Sequence, residues 1–285
     1  MAVTSLDCGG RPLDLTSPVV MGVLNVTPDS FSDGGDFLSP DSALSRAREL
    51  VAEGAAIIDI GGESTRPGAA DVSVDDELAR VMPVIEALAG ELSVPISVDT
   101  TKPEVIRAAA AAGAGLINDV MALQRPGALD AAVETGLPVC LMHMRGTPRN
   151  MQLDPQYDDV VEDVLGFLHE RVATCTQAGI PAERIVIDPG FGFGKSMTHN
   201  ATLLARLDAF NALDLPVLIG LSRKSFIGQI VDRPPKERVA GSLAAAVLAA
   251  QAGARIVRTH DVAATVDALT VVDYVRRAGA AGRGQ

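Results

Sequence analysis

The chain has no tryptophan, two tyrosines and seven phenylalanines, so aromatic residues make up 3% of its 285 positions. A core built on ring stacking is excluded, and aliphatic side chains and alanine must fill the interior. Cysteine is equally scarce. Cys8, Cys140 and Cys175 are scattered, odd in number and without CxxC or metal-ligand spacing, which argues against a disulfide framework and indicates reduced thiols in a cytoplasmic protein. The four histidines form no cluster suited to tight binding of a transition metal. No apolar run approaches the ~20 residues that span a bilayer, and the N-terminus lacks the basic start and long apolar stretch of a signal peptide. Positive charge is in deficit: 24 Lys and Arg against 36 Asp and Glu give a net charge of −12. That balance opposes a nucleic-acid partner, although a local cluster of Arg, Lys and helix N-termini can still hold a small anion.

What is abundant is hydrophobicity, at 47% of residues with a mean hydropathy of +0.24. It is organised as about eight short Val- and Ile-rich runs, nearly all stopping at a polar side chain. Val19–Leu24 stops at Asn25, Ala56–Ile60 at Gly61-Gly62-Glu63, and Pro95–Val98 at Asp99. Gly115–Ile117 stops at Asn118, Pro138–Met142 at His143, and Arg184–Ile187 at Asp188. Pro216–Gly220 leads into Ser222-Arg223-Lys224, and Ala254–Val257 into Arg258-Thr259-His260. Continuous apolar runs of this kind suit parallel strands covered on both faces. Alanine-rich helical stretches separate them, so the pattern predicts a (β/α)8 TIM barrel, an α/β fold of ~250 residues, as a single domain over residues 1–285. Residues 1–15 read as an N-terminal β-hairpin covering the bottom of the barrel, and residues 279–285 as a frayed tail. The polar strand ends then share one rim, where the chemistry of such barrels sits.

Helices are expected over 40–53, 74–89, 103–112, 128–135, 158–178, 199–210, 235–252 and 262–277, with Gly54, Gly113, Gly136, Gly179 and Gly253 as C-terminal caps. Three strand-to-helix loops, 25–39, 61–73 and 142–157, exceed what packing requires and read as lids, with Gly34-Gly35 and Gly61-Gly62 as hinges.

Asp99, Asn118 and Asp188 end predicted strands three, four and six. Any one of them alone could be a helix cap. Together, at neighbouring strand ends, a carboxylate and amide set suits a flat heterocycle that offers N–H donors and a carbonyl acceptor. Gly190–Ser196 imitates a phosphate-binding loop, but the Walker pattern would need glycine where Pro189 stands. Lys195 therefore reads as a solvated or local lysine. Lys224 follows strand seven at the rim, near Asp188, and reads as functional. Arg258 and His260 alternate about Thr259 ahead of a helix start, matching the phosphate corner of many barrels. Asn25 completes that corner or holds a metal. His169 and His199 read as surface residues.

These segments resemble the dihydropteroate synthases, a pterin-binding barrel family of folate biosynthesis. The resemblance rests on Gly22–Gly35 (GVLNVTPDSFSDGG), Asp59–Gly68 (DIGGESTRPG), Ser97–Thr100, Met142–Gly146, Asp188–Lys195 (DPGFGFGK), Ser222–Gly228 (SRKSFIG) and Arg258–Val262, in order along the chain. Residues 120–125 depart from the Ser- and Gly-rich version of many members. The resemblance implies condensation of 6-hydroxymethyl-7,8-dihydropterin diphosphate with p-aminobenzoate to 7,8-dihydropteroate. It implies that Asp99, Asn118 and Asp188 receive the pterin donors, that Lys224 donates to the ring, and that Met142, Phe193 and Gly220 line it. Asn25, Arg66, Arg258 and His260 would hold the diphosphate, with Mg2+ at Asn25. Phe31, Thr65, Arg66, Pro67, Phe193 and Ser222 would frame the p-aminobenzoate, with Asp33 closing over it in the first loop. Lys224, Arg258, His260, Asp33 and Arg66 would be the catalytic set. The resemblance further implies sulfonamides as competitive inhibitors and a homodimer. Two rivals are a methyltetrahydrofolate-to-corrinoid methyltransferase, which would have no use for Ser222-Arg223-Lys224 together with Thr65-Arg66-Pro67, and a non-catalytic pterin-binding barrel, against which the lid loops argue.

Overall fold

The computed structural model describes residues 3–27, 40–65, 68–147, 151 and 155–281. A hairpin of β1 (Ser5–Cys8) and β2 (Arg11–Asp14) precedes eight parallel strands. These are β3 (Val19–Asn25), β4 (Ile57–Gly61), β5 (Ile96–Asp99), β6 (Leu116–Asp119), β7 (Val139–Met142), β8 (Ile185–Asp188), β9 (Leu218–Gly220) and β10 (Ile256–Thr259). They pair in the order β8-β7-β6-β5-β4-β3-β10-β9. A parallel bridge between Ile187 and Val217, with the Ile187 N–H donating to the Pro216 carbonyl at 3.0 Å, joins the two ends. The result is the predicted (β/α)8 barrel.

The helices between the strands are α1 (Pro40–Ala52), α2 (Val74–Ala89), α3 (Pro103–Ala111), α4 (Ala128–Thr135), α5 (Val160–Gln177), α6 (Met197–Ala205), α7 (Ser225–Val231), α8 (Val239–Gln251) and α9 (Val262–Ala281). Local chemistry fixes their starts. The Ser73 side chain accepts from Asp76 N at the head of α2, and Asp159 accepts from Val161 N and Glu162 N at the head of α5. The five expected glycine caps all have positive φ. Three expectations need correction. The helix expected to end at Phe210 stops at Ala205 and gives way to a 3-10 segment, Leu207–Leu213. A 3-10 turn, Pro235–Glu237, stands where α8 was expected to start, and α8 itself begins at Val239. The chain is still helical at 279–281, where a frayed tail was expected. Helix α7 was missed, since Phe226, Ile227, Ile230 and Val231 read equally well as strand.

Strand alternation sorts the interior into two cores. Val20, Leu24, Ile58, Ile60, Val98, Ile117, Leu141, Ile187, Ile219 and Val257 face outward and pack with the helices. The opposite parity, Met21, Ile57, Leu116, Cys140, Val186, Leu218 and Ile256, faces the barrel axis and packs against Leu6, Cys8, Leu13 and Leu15 of the hairpin. The hairpin thus plugs the N-terminal end of the barrel. The fit is tight: a Cβ at Gly115 would overlap the Cys8 carbonyl. All three cysteines are buried and unpaired, and no helix is long and apolar enough to cross a membrane among the described residues.

Candidate active site

Followed upward, the axis-facing parity becomes polar. Above Ile57 comes Asp59, above Leu116 Asn118, above Val186 Asp188 and above Ile256 Arg258. Pairing register sets Asn25 beside Gly61, Gly61 beside Asp99, and Asp99 beside Asn118; it also sets Met142 beside Asp188, and Gly220 beside Arg258. The C-terminal mouth of the barrel therefore collects the strand-end residues that the sequence singled out.

One hydrogen-bonded group occupies the side formed by β4, β5, β6 and β10. Arg258 Nε donates to Asp59 Oδ2 at 2.6 Å, and Arg258 Nη2 donates to Asp99 Oδ2 at 2.9 Å. Asn118 Nδ2 donates to the same Asp59 oxygen at 3.1 Å. Burial alone would lower the arginine pKa, but the Asp59 and Asp99 carboxylates outweigh it and hold the guanidinium charged. Burial pushes the Asp99 carboxyl up to about 7; Arg258 pulls it down, and Asp59 adds to the rise. Asp59 is a central residue that sequence reasoning read only as part of a strand. Its signal was available: an aspartate interrupting the run Ile57–Ile60, on the parity opposite to Ile58 and Ile60.

The second group centres on Lys224 at the start of α7. Its ammonium donates to the Phe191 carbonyl and lies 4.4 Å above the centre of the Phe193 ring. Burial lowers the Lys224 pKa to about 8, against the opposing pull of Asp188 and Asp99. Asp188 is raised by burial, with Lys224 and the Gly190 N–H acting the other way; that N–H donates to Asp188 Oδ1 at 2.7 Å. A Cβ at Gly220 would stand 4.0 Å from both Lys224 Nζ and Arg258 Cβ, so the missing side chain keeps the space between the two groups clear.

A third corner joins the loops after β9 and β10. His260 N donates to Ser222 Oγ at 3.2 Å, and His260 Nδ1 lies 3.1 Å from the same oxygen. Arg223, in the left-handed region at φ 57°, grips Asp261 with Nε at 3.0 Å and Nη2 at 2.5 Å. Arg258 and His260 therefore part company: the arginine reaches into the barrel mouth, while the histidine stays at the rim, two residues before α9. Asn25 and Thr65 are half-buried at the ends of β3 and in the loop after β4. Phe31, Asp33, Arg66 and Pro67 lie outside the described residues, as does the Gly34-Gly35 pair.

Lys102 was not anticipated. It is 2% exposed and pairs with Glu63 Oε2 at 2.6 Å and with Glu77, while Glu63 Oε1 accepts from Val72 N at 2.8 Å. This network anchors both ends of the loop that contains Thr65. Gly62, expected as a hinge, is instead close-packed, since a Cβ there would lie 2.8 Å from Val81. Of the two readings of Lys195, solvated or local, the structure favours the local one: it is 3% exposed and donates to the Gly190 and Phe193 carbonyls. His199 is half-buried and closes a capping box with Ser196 at the head of α6, whereas His169 is exposed as expected. Among the described residues no three His, Cys, Asp or Glu side chains are grouped to hold a metal.

A barrel with carboxylate, amide and lysine groups converging at its mouth defines a class, and the sequence supports the same one. Residues 21–260 match the profile described as pterin binding enzyme, and the chain belongs to that family. Within it, the similar proteins are dihydropteroate synthases. The Escherichia coli (strain K12) dihydropteroate synthase is 58% identical over 264 residues, covering 93% of this chain and 94% of that protein. The Xanthomonas albilineans dihydropteroate synthase solved with 4-aminobenzoic acid is 56% identical with a TM-score of 0.91, covering 97% of this chain and 99% of that one. The Yersinia pestis enzyme solved as a sulfonamide drug complex is 54% identical with a TM-score of 0.93, covering 96% and 99%.

Proposed function

We propose that the chain condenses 6-hydroxymethyl-7,8-dihydropterin diphosphate with p-aminobenzoate, giving 7,8-dihydropteroate and diphosphate in folate biosynthesis. The observation that carries this reading is the convergence of Asp99, Asn118, Asp188 and Lys224 on one barrel mouth. Asp99, Asn118 and Asp188 accept the ring N–H and amino donors, and Lys224 donates to the ring carbonyl and N5. Met142 and Gly220 border the ring. Phe193 stands beneath Lys224, between the pterin and the p-aminobenzoate site that Ser222, Thr65, Arg66, Pro67 and Phe31 frame.

The reaction needs no protein nucleophile. The bond between the pterin methylene carbon and the diphosphate oxygen breaks, and its electron pair leaves with the diphosphate. The methylene cation is delocalised into the electron-rich dihydropterin. The p-aminobenzoate nitrogen then forms the new C–N bond and loses a proton. The protein's part is to hold leaving-group charge and exclude water. His260 at the head of α9, Arg258, Arg66 and Asn25 serve the first role, and Asp33 in the first loop the second.

Asn25 offers one neutral, hard oxygen at the rim, which fits Mg2+ bound mainly through substrate phosphates and water. When bound there, the ion would neutralise diphosphate charge. The chain acts as a single domain in the cytoplasm, consistent with three buried free thiols. It pairs as a homodimer. Val271 and Val275, each 63% exposed on α9, border an apolar groove of about 470 Å3 completed by Val247 of α8. Val271→Glu should give monomers in sedimentation experiments, and a wild type that is already monomeric removes the dimer.

The deciding experiment for the activity is diphosphate release followed with and without p-aminobenzoate. Release that depends on p-aminobenzoate and is inhibited competitively by a sulfonamide is expected. Absence of diphosphate release under both conditions rejects the proposed reaction.

A further inference from the structure

The loop that follows β8 is shaped by a lysine that never reaches the barrel mouth. Lys195 Nζ donates to the Gly190 carbonyl at 2.8 Å and the Phe193 carbonyl at 3.0 Å, and lies 2.9 Å from His143 Nδ1. Among the described residues it forms no ion pair. Burying an amine this fully is costly without partners, and the partners here are main-chain oxygens and a ring nitrogen. Burial first, and Lys195 second, push the His143 pKa down to about 2, so the imidazole is neutral.

The loop it holds has little regular backbone bonding to fix its shape. Gly190, Gly192 and Gly194 have φ of 71°, 80° and 66°, and glycines in such conformations are the most expensive residues to order. Lys195 ties both ends of that stretch to one point. His143, at the end of β7, is in turn seated edge-on against Phe167, with ring centres 4.9 Å apart. Gly194 is fixed a second time, because Tyr157 Oη donates to its carbonyl at 2.8 Å.

Between those two ties lie the two groups that touch Lys224: the Phe191 carbonyl, which accepts from its ammonium, and the Phe193 ring beneath it. The backbone between them is also in contact, since a Cβ at Gly192 would come within 3.1 Å of Lys224 Cδ. One wall of the slot that orients Lys224 is therefore built from a segment whose carbonyls Lys195 gathers.

We propose that Lys195 is a positioning residue for Lys224: by binding the Gly190 and Phe193 carbonyls it holds the loop that aims the Lys224 ammonium into the barrel mouth. The inference rests on the reading that Lys224 binds the pterin, and the test separates the two. Binding of a dihydropterin without diphosphate is measured by calorimetry on the wild type, Lys195→Met, Lys224→Ala and the double variant. Lys195→Met keeps the length and apolar stem and removes the donors. It should weaken binding about tenfold in the wild-type background and less than about twofold when Lys224 is already alanine, because the coupled pair cannot be lost twice. Equal losses in both backgrounds overturn the proposal, since Lys195 would then act on the fold and not through Lys224. Wild-type binding by Lys224→Ala removes the underlying reading and the proposal with it. Circular dichroism checks each variant. If Lys195→Met does not fold, Lys195→Leu, which likewise removes the donors, replaces it in the same cycle. Failure of both to fold also overturns the proposal.

Discussion

Arg258 reaches Asp59 across an intervening strand: its Nε donates to Asp59 Oδ2 at 2.6 Å although β10 and β4 are separated by β3. The side chain spans the barrel mouth above Met21 and Val23, its register partners' strand, and meets a carboxylate that is fully buried. Asp59 thereby does two things. It keeps the guanidinium charged at depth, and it accepts from Asn118, fixing the amide that the pterin would meet.

Replacing Asp59 tests that double role. Asp59→Asn keeps the shape but leaves Arg258 with Asp99 as its one carboxylate, and turns an amide toward Asn118. Loss of a charged partner in a buried group should lower stability by about 1–3 kcal/mol. Urea unfolding reads the stability, and pterin affinity should fall with it. A variant as stable as the wild type would mean that the pair contributes nothing.

The hairpin offers a control away from the chemistry. Gly115 opens the strand entry where the Cys8 backbone lies against it, with no room for a methyl group. Gly115→Ala must displace the plug and should destabilise the fold by about 2–4 kcal/mol. At temperatures where the variant stays folded, pterin affinity should equal that of the wild type. Reduced affinity in the folded variant would show that the two ends of the barrel are coupled.

The architecture was legible because nearly every strand announces itself twice, as an apolar run and as the polar residue that ends it. Asp99, Asn118 and Asp188 could be placed on one rim by counting alone. Asp59 shows its facing by the same parity, but its pairing was hidden, because Arg258 lies 199 positions away and only barrel closure brings β10 beside β3. Lys195, read as solvated or local, was left undecided for a related reason. Nothing local distinguishes a lysine in a glycine-rich loop that points to water from one that turns inward to collect carbonyls. Lys102 was hidden in the same way, since its partners Glu63 and Glu77 come from the loop after β4 and from α2. Helix α7 was missed because its residues have no preference strong enough to override a strand reading.

The different fates of Arg258 and His260 predict different substrate selectivity. His260 sits at the rim beside Ser222, so His260→Gln should weaken a dihydropterin diphosphate far more than the same pterin without diphosphate. Arg258 is also bound to Asp59 and Asp99, so Arg258→Gln should weaken both ligands. Paired titrations with the two pterins decide the matter. Equal losses for His260→Gln would place the histidine at the ring and not at the phosphates.

The titrating groups at the barrel mouth predict a bell-shaped pH dependence for binding of a dihydropterin that lacks diphosphate. Asp99 accepts N–H donors fully only as a carboxylate, and burial raises its pKa to about 7. Binding should therefore weaken as pH falls below 7. Lys224 donates as a charged group only while protonated, and burial lowers its pKa to about 8, so binding should weaken again as pH rises above 8. The maximum lies between these values, and the limbs report the free protein. Stability runs differently. From about pH 4, the ordinary carboxylate value, to 7 the folded state holds the Asp99 proton more tightly than the unfolded chain does, so this group alone makes stability fall as pH rises through that window. From about 8 to the ordinary lysine value near 10.4 the unfolded chain holds the Lys224 proton more tightly, so stability rises with pH. Asp99→Asn should remove the acid limb near pH 7, because the group that sets it is gone. Lys224→Arg should carry the alkaline limb beyond the measured range, because a guanidinium stays protonated. An acid limb at the same pH in Asp99→Asn would assign it to another group and remove Asp99 as the acceptor that limits binding.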